Sequence, residues 1–336
     1  GDDAILAACR SSLAAFKVPV AIVRLNALPK TTGGKLRRAN IRAFVDGETA
    51  GILVRPDGDA IGWRITGAGP TPLVLLPGTL STAAQMERLA GELARPGDVT
   101  VHALDRRGSG TSSLADPRPL DVSVQVADLV AYLDARGIEA AVIVGISFGA
   151  VLGLETAARH ADRVRAIVAW EPPYIPLADE ATRARIGGQF AALAHAYASG
   201  GAPAVTERFM RTLNGDRWWD ELPERARAWL EREGTSALAD AGLIGLEPDG
   251  IGRITAATTI LTGTEGDPFA PTVAEALAAR IRGVRRDTID GFAHPSPITD
   301  PVPFAHAVRV ALAAAGVVDS RTIDGREPVA TTPEAR

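Results

Sequence analysis

The sequence predicts an α/β fold, a mostly parallel sheet flanked by helices with a helical lid above one end, and three observations predict it. Between residues 61 and 315, short apolar runs alternate with helical periods, the order that parallel strands joined by crossover helices require. The runs are nearly continuous in Val, Leu, Ile and Ala, as strands buried on both faces must be. One stretch, residues 176–250, carries helical periods and no good strand. It falls between two predicted strands and is therefore placed as an insertion above the sheet.

The elements follow in order. Residues 1–45 hold a helix-like stretch, a predicted strand at 18–25 and a second helical piece ending near Phe44. Residues 46–60, rich in Gly and Asp, read as a linker or hairpin. Strands are predicted at 73–76, 99–104, 141–144, 164–170, 258–262 and 286–289, with helices between them at 83–93, 123–136 and 150–160. Within the insertion, residues 182–198 and 223–233 have helical periodicity. Residues 316–336 combine Asp, Thr, Pro and Glu with little apolar content, which is the composition of a disordered tail. No internal repeat of fixed period is present.

Composition narrows the function classes. Of the 336 residues 46% are hydrophobic and 23% charged, with a formal net charge of -4, the balance of an ordinary globular protein. No face or run is dominated by Lys and Arg, which argues against a nucleic-acid partner. Cys9 is the only cysteine, so an intramolecular disulfide is excluded and a reducing, cytoplasmic compartment is expected. No apolar run reaches the roughly 18–20 residues of a membrane span, so no membrane partner is expected. The chain opens at Gly1 as if in mid-helix and is read as a fragment. Neither an H-E-x-x-H spacing nor a complete G-x-G-x-x-G is present, Gly108-Ser109-Gly110 lacking the third glycine. No metal and no cofactor are expected.

The chemistry is concentrated in Gly145-Ile146-Ser147-Phe148-Gly149. This G-x-S-x-G lies between a buried strand and an Ala-rich helix. Its glycines allow the chain to reverse with no room for side chains, and the turn lifts the Ser147 hydroxyl above the sheet edge. The amide of Phe148 then sits at a helix N-terminus, where it can donate to a developing oxyanion. A second donor is expected from the loop after an earlier strand. Pro77-Gly78-Thr79-Leu80 fits, with the Thr79 N–H the candidate and Leu80 next.

These segments carry a family resemblance. Across about residues 50–315 the chain resembles the α/β-hydrolase family. The matching residues are Leu75-Leu76-Pro77-Gly78, the D-x-x-G-x-G-x-S turn Asp105-Arg106-Arg107-Gly108-Ser109-Gly110-Thr111-Ser112, the elbow, and Gly291-Phe292-Ala293-His294. Many members carry His-Gly where this chain has Pro77-Gly78, and His or Glu where it has Ile146. The family order of nucleophile, acid and histidine implies His294 as the base. His102, His160, His195 and His306 are assigned to structure. For the acid the resemblance offers Asp267 first, after the penultimate strand, then Glu171 after the 164–170 strand, then Glu265. Epoxide hydrolases and haloalkane dehalogenases of this family use a carboxylate where Ser147 stands. A serine argues instead for acyl transfer through an acyl-enzyme.

The insertion offers Phe190, Phe209, Met210, Trp218, Trp219 and Trp229 for an apolar pocket. Leu80, Trp218 and Phe209 are the expected pocket residues, and only one of Trp218 and Trp219 can face the site. At the front, Pro29-Lys30-Thr31-Thr32-Gly33-Gly34-Lys35-Leu36-Arg37-Arg38 is not a phosphate-binding P-loop, because Pro29 and Leu36 replace the required Gly and Ser or Thr. It resembles the closing motif of adenylate-forming acyl-CoA synthetases, over about residues 1–43, and the resemblance implies that Lys35 contacts an acyl-adenylate in such an enzyme. The body of that enzyme is absent here, so residues 1–45 are read as its C-terminal remnant in a fusion. The expected activity is that of a serine hydrolase acting on a small-molecule carboxylic ester or thioester, acyl-CoA among them. The alternatives are a C–C bond hydrolase, a lactonase, or a non-catalytic module binding a small ligand in the same cavity.

Overall fold

The apolar runs become the centre of an eight-stranded sheet. The computed structural model describes residues 2–12 and 49–323. The strands are β1 (Ala50–Val54), β2 (Ala60–Thr66), β3 (Thr71–Leu76), β4 (Val99–Leu104), β5 (Ala141–Ile146), β6 (Val164–Trp170), β7 (Ala257–Glu265) and β8 (Arg285–Ala293). Their order across the sheet is β1-β2-β4-β3-β5-β6-β7-β8. The β1–β2 and β2–β4 pairs are antiparallel and every later pair is parallel.

Alternate residues of the central strands feed opposite layers. Val74, Leu76 and Ile143 pack with the helices Val122–Ala135 and Phe148–Arg159 and with the lid. Leu73, Leu75, Val142 and Val144 pack with the helices Glu87–Ala94 and Pro301–Ala314. A strand read by two cores has no polar face, which is why these segments look continuous in sequence.

The strand order reverses at β3, which has β4 on one side and β5 on the other. Chains leaving the C-terminal ends of β3 and β5 turn to opposite faces and open a crevice there, the usual place for a site in such sheets. Leu76 pairs with Gly145, so the Pro77–Leu80 loop and the elbow emerge side by side.

The lid joins β6 to β7 and is helical throughout, as expected. Its longest element, Glu180–Asn214, bends at Gly201 (φ 66°), just before Pro203. Three shorter helices follow, Asp216–Asp220, Glu224–Glu231 and Gly234–Asp240.

Three boundaries differ from the sequence reading. The sheet begins at Ala50, not near residue 61, because the Gly- and Asp-rich segment forms a hairpin in register with β2. The tail expected from residue 316 is packed as far as the short turn Ser320–Thr322. There Thr322 Oγ1 donates to Asp98 Oδ2 at 2.9 Å, and the buried Arg309 donates to Thr322 O. The last strand runs on from residue 289 to Ala293, directly before His294. Residues 2–12 form a helix, Asp2–Ser12, holding Cys9 half-buried. The strand expected at 18–25, the motif containing Lys35 and the residues beyond 323 lie outside the described residues. Among those described, no helix is long and apolar enough to cross a membrane.

Candidate active site

Ser147 occupies φ 54°, ψ −122° between β5 and the helix Phe148–Arg159. An L-residue adopts a positive φ only under strain, and here it is held from several directions. Its N–H donates to Trp170 O at 2.8 Å, and its carbonyl accepts from Ala150 N at 2.8 Å. A Cβ at Gly145 would overlap Ala150, and one at Gly149 would overlap the carbonyl of Leu76. Both glycines are therefore steric requirements of the turn. A Cβ at Gly78 would come within 3.0 Å of Ser147 Cβ, so the loop after β3 lies directly against the serine.

Among the described residues, three non-glycine residues have positive φ: Leu80 (60°), Ser147 (54°) and Glu171 (40°). They follow β3, β5 and β6, three neighbouring strands of the sheet. Glu171 follows β6 with its side chain fully buried, and its Oε2 lies 2.6 Å from His294 Nδ1. Its other oxygen, Oε1, accepts from Gly263 N at 3.0 Å. Carboxylate oxygens only accept, so Nδ1 carries the proton and the lone pair of His294 is on Nε2. The imidazole stands where β8 ends. Trp170 Nε1 donates to the His294 carbonyl at 3.0 Å, and Ala293 N donates to Ser296 Oγ at 2.9 Å. The ring remains 41% exposed.

This pairing reverses the preference drawn from sequence. Asp267, placed first, makes no hydrogen bond to His294 among the described residues. Its Oδ1 accepts from Phe269 N at 3.2 Å, turning the chain into the helix Ala270–Ala278. Burial pushes the Asp267 carboxyl above its ordinary pKa; the Phe269 N–H and the nearby His294 oppose this. Glu265 is exposed. The β7–β8 register shifts between Gly263 and Glu265, where this loop begins. A Cβ at Gly266 would overlap Glu171 Oε1, so the loop packs over Glu171.

The expected oxyanion donors, Phe148 and Thr79, flank Ser147 on the helix and on the β3 loop. The loop is held by Arg106, whose Nε donates to Pro77 O at 3.0 Å and Nη2 to Gly78 O at 2.8 Å. Arg106 and Asp240 form an ion pair buried on both sides. The second oxygen of Asp240 accepts from Thr79 Oγ1 at 2.7 Å. Sequence reading passed over Asp240, and the signal was slight: a lone acid in the apolar run Ala237-Leu238-Ala239-Asp240-Ala241.

Comparison with known proteins follows the same lines. Residues 73–308 match the model of the alpha/beta hydrolase family, from β3 to the last helix. The chain belongs to the α/β-hydrolase family. It is similar to epoxide hydrolase A of Mycobacterium tuberculosis, 34% identical over 168 residues, which are 40% of this chain and 52% of that protein. It is also similar to lipase LipV of the same organism, 32% identical over 105 residues, 31% of this chain and 38% of that one. This hydrolase therefore spans about half or less of the curated relatives it matches. A solved α/β hydrolase from Sphaerobacter thermophilus shares 28% identity, with a TM-score of 0.57 over 75% of this chain and 97% of that chain. A thermophilic esterase from Thermogutta terrifontis, at 18% identity, matches in fold with a TM-score of 0.64 over 80% of this chain and 99% of that chain.

In this hydrolase the pocket residues chosen from sequence fare differently. Leu80 is buried at the end of the loop after β3. Phe209 is half-buried against Phe190, with ring centroids 6.1 Å apart, inside the lid. Trp218 is 39% exposed while Trp219 is buried. Of the two it is Trp219 that the lid takes in, where the Arg227 guanidinium stacks on it at 5.3 Å. Trp218 is the more exposed of the two. His102 donates to or accepts from Tyr132 Oη at 2.8 Å within the sheet layer, a structural role as expected.

Proposed function

We propose that this hydrolase cleaves a carboxylic ester or thioester through an acyl-enzyme on Ser147, with His294 as general base and Glu171 as the acid of the triad. The observation that carries the reading is the 2.6 Å contact between His294 Nδ1 and the buried Glu171, taken together with a serine held at a strained elbow. Ser147 Oγ attacks the carbonyl carbon as His294 Nε2 takes its proton. Glu171 holds the tautomer and stabilises the imidazolium. The carbonyl oxygen becomes an oxyanion and accepts from the amides of Phe148 and Thr79. His294 then protonates the leaving alcohol or thiol, and water, deprotonated by the same nitrogen, releases the acid.

The names of the relatives include both an epoxide hydrolase and a lipase. Ser147 favours the second kind of chemistry, because epoxide opening in this family is read with a carboxylate at that position. An acyl-CoA thioester is the finer substrate reading. It is supported by the synthetase-like motif around Lys35, which also favours a fusion origin for residues 1–45.

Treatment of the protein and its Ser147→Ala variant with a fluorophosphonate, read by intact mass, tests the mechanism. One adduct is expected on the wild type and none on the variant. An unmodified wild type would favour a ligand-binding module instead. A p-nitrophenyl ester series and acyl-CoA thioesters of matched chain length then separate oxygen esters from thioesters.

A further inference from the structure

We propose that Asp240, carried by the lid, is a positioning residue that sets the oxyanion hole through Arg106 and Thr79. This rests on the serine-hydrolase reading above and extends it to a side chain that does not touch substrate.

The geometry runs through one peptide plane. The carbonyl of Gly78 and the N–H of Thr79 belong to the same trans peptide, so they point in opposite directions and rotate together. Arg106 Nη2 holds that carbonyl at 2.8 Å and Arg106 Nε holds the preceding one, Pro77 O, at 3.0 Å. Fixing the Gly78 oxygen fixes where the Thr79 N–H aims. A cation on the oxygen also draws electron density through the amide and makes the N–H a stronger donor. The same guanidinium lies 4.9 Å from the centroid of the Phe148 ring. One cation thus braces both walls of the hole.

Asp240 holds that cation in place. Its Oδ1 pairs with Arg106 and its Oδ2 accepts from Thr79 Oγ1 at 2.7 Å. The carboxylate therefore grips the donor residue directly from one side and through Arg106 from the other. Asp240 ends the helix Gly234–Asp240, and the start of that segment is also tied down. Glu233 Oε2 accepts from Gly110 N at 2.8 Å, and Thr235 Oγ1 donates to Gly108 O at 2.7 Å. The returning end of the lid and the oxyanion loop form one hydrogen-bonded unit, so lid placement is transmitted to the hole.

Asp240→Asn strips a buried guanidinium of its counter-charge and risks unfolding, so Thr79→Val is the primary test. It removes only the hydroxyl bond to Asp240 and keeps the backbone N–H. In p-nitrophenyl butyrate hydrolysis we expect kcat to fall about 10- to 100-fold. KM and the pH profile should stay unchanged, and the rate of phosphonylation at Ser147 should fall in parallel. Thr79→Ser, which restores the hydroxyl, should recover most of that loss. A Thr79→Val enzyme with wild-type kcat, or a loss that Thr79→Ser shares, would overturn the proposal. So would a loss seen only in KM. A wild type that takes no phosphonate at Ser147 would sink the triad reading itself and this inference with it.

Discussion

At the scale of single residues, two carboxylates compete for one imidazole. Glu171 and Asp267 leave the ends of adjacent parallel strands, and both positions are compatible with the order of chemical groups along the chain. The choice is made by reach. Glu171 sits at positive φ directly after β6 and is gripped from behind by Gly263 N, while Asp267 is spent on the turn at Phe269. Replacing Glu171 by Ala should lower kcat by about 10³- to 10⁴-fold, the scale of losing a triad acid. Asp267→Ala should stay within several-fold of wild type. Steady-state kinetics on the two variants checks the pair, and the reverse ranking would restore Asp267 as the acid. Ser147 and His294, the proposed nucleophile and base, were each marked by a local pattern in the sequence. The acid was not, because nothing local distinguishes a carboxylate that reaches a histidine more than a hundred positions away from one that caps a turn.

At the scale of elements, the strands buried on both faces declared themselves, and the hairpin of β1 and β2 was legible only as one of two readings, a linker or a hairpin. Its residues alternate and include Arg, Asp and Gly, and its place in the sheet comes from pairing with β4, a partner remote in sequence. The lid was legible as helix, but its attachment was not. Glu233 shows what that attachment does to the titration of the protein. Burial raises its pKa to about 7, with the Gly110 N–H opposing and Asp105 adding. A carboxyl whose folded pKa is raised favours the folded state at low pH, and that contribution is lost as pH rises from about 4.5 through about 7. Glu233→Gln keeps an oxygen for Gly110 N and removes the charge. Its melting temperature relative to wild type should therefore be higher at pH 8 than at pH 5. His102 acts in the other sense, burial holding its pKa down to about 4, so stability is lost as pH falls below its ordinary value of 6.5. That term is common to both proteins and cancels in the difference. Equal melting differences at the two pH values would mean that Glu233 is not charged against a cost.

At the scale of the whole molecule, the fold is closed by contacts between distant parts of the chain. The turn Ser320–Thr322 crosses to the start of β4, where Asp98 accepts from Arg309 Nη2 at 2.6 Å and from Thr322. Val318 is buried on the way. The polar composition of this segment resembles that of an unstructured tail, and its ordering rests on a few residues, Val317, Val318, Asp319 and Thr322 among them. Ending the chain at Ala315 should lower the melting temperature by roughly 3–10 °C, from the lost bonds of Thr322 to Asp98 and Arg309 and the removed apolar cover of Val317 and Val318. Calorimetry against the full chain measures this, and an unchanged melting point would show that the turn contributes no stability. The same long-range character explains why the tie between Arg106 and Asp240 was invisible in sequence. It spans the entire distance from the turn after β4 to the end of the lid.

The three positive-φ residues have a further consequence for anyone engineering this hydrolase. Leu80, Ser147 and Glu171 each hold a backbone that glycine would hold with less strain. A selection for heat resistance alone would be drawn to these positions, and a Gly at any of them would relax the backbone while deleting a side chain, the hydroxyl of Ser147 and the carboxylate of Glu171 among them, that the proposed chemistry uses. Heat resistance in this molecule is best sought elsewhere, because its least comfortable peptides follow β3, β5 and β6, where the proposed triad and its oxyanion loop would meet.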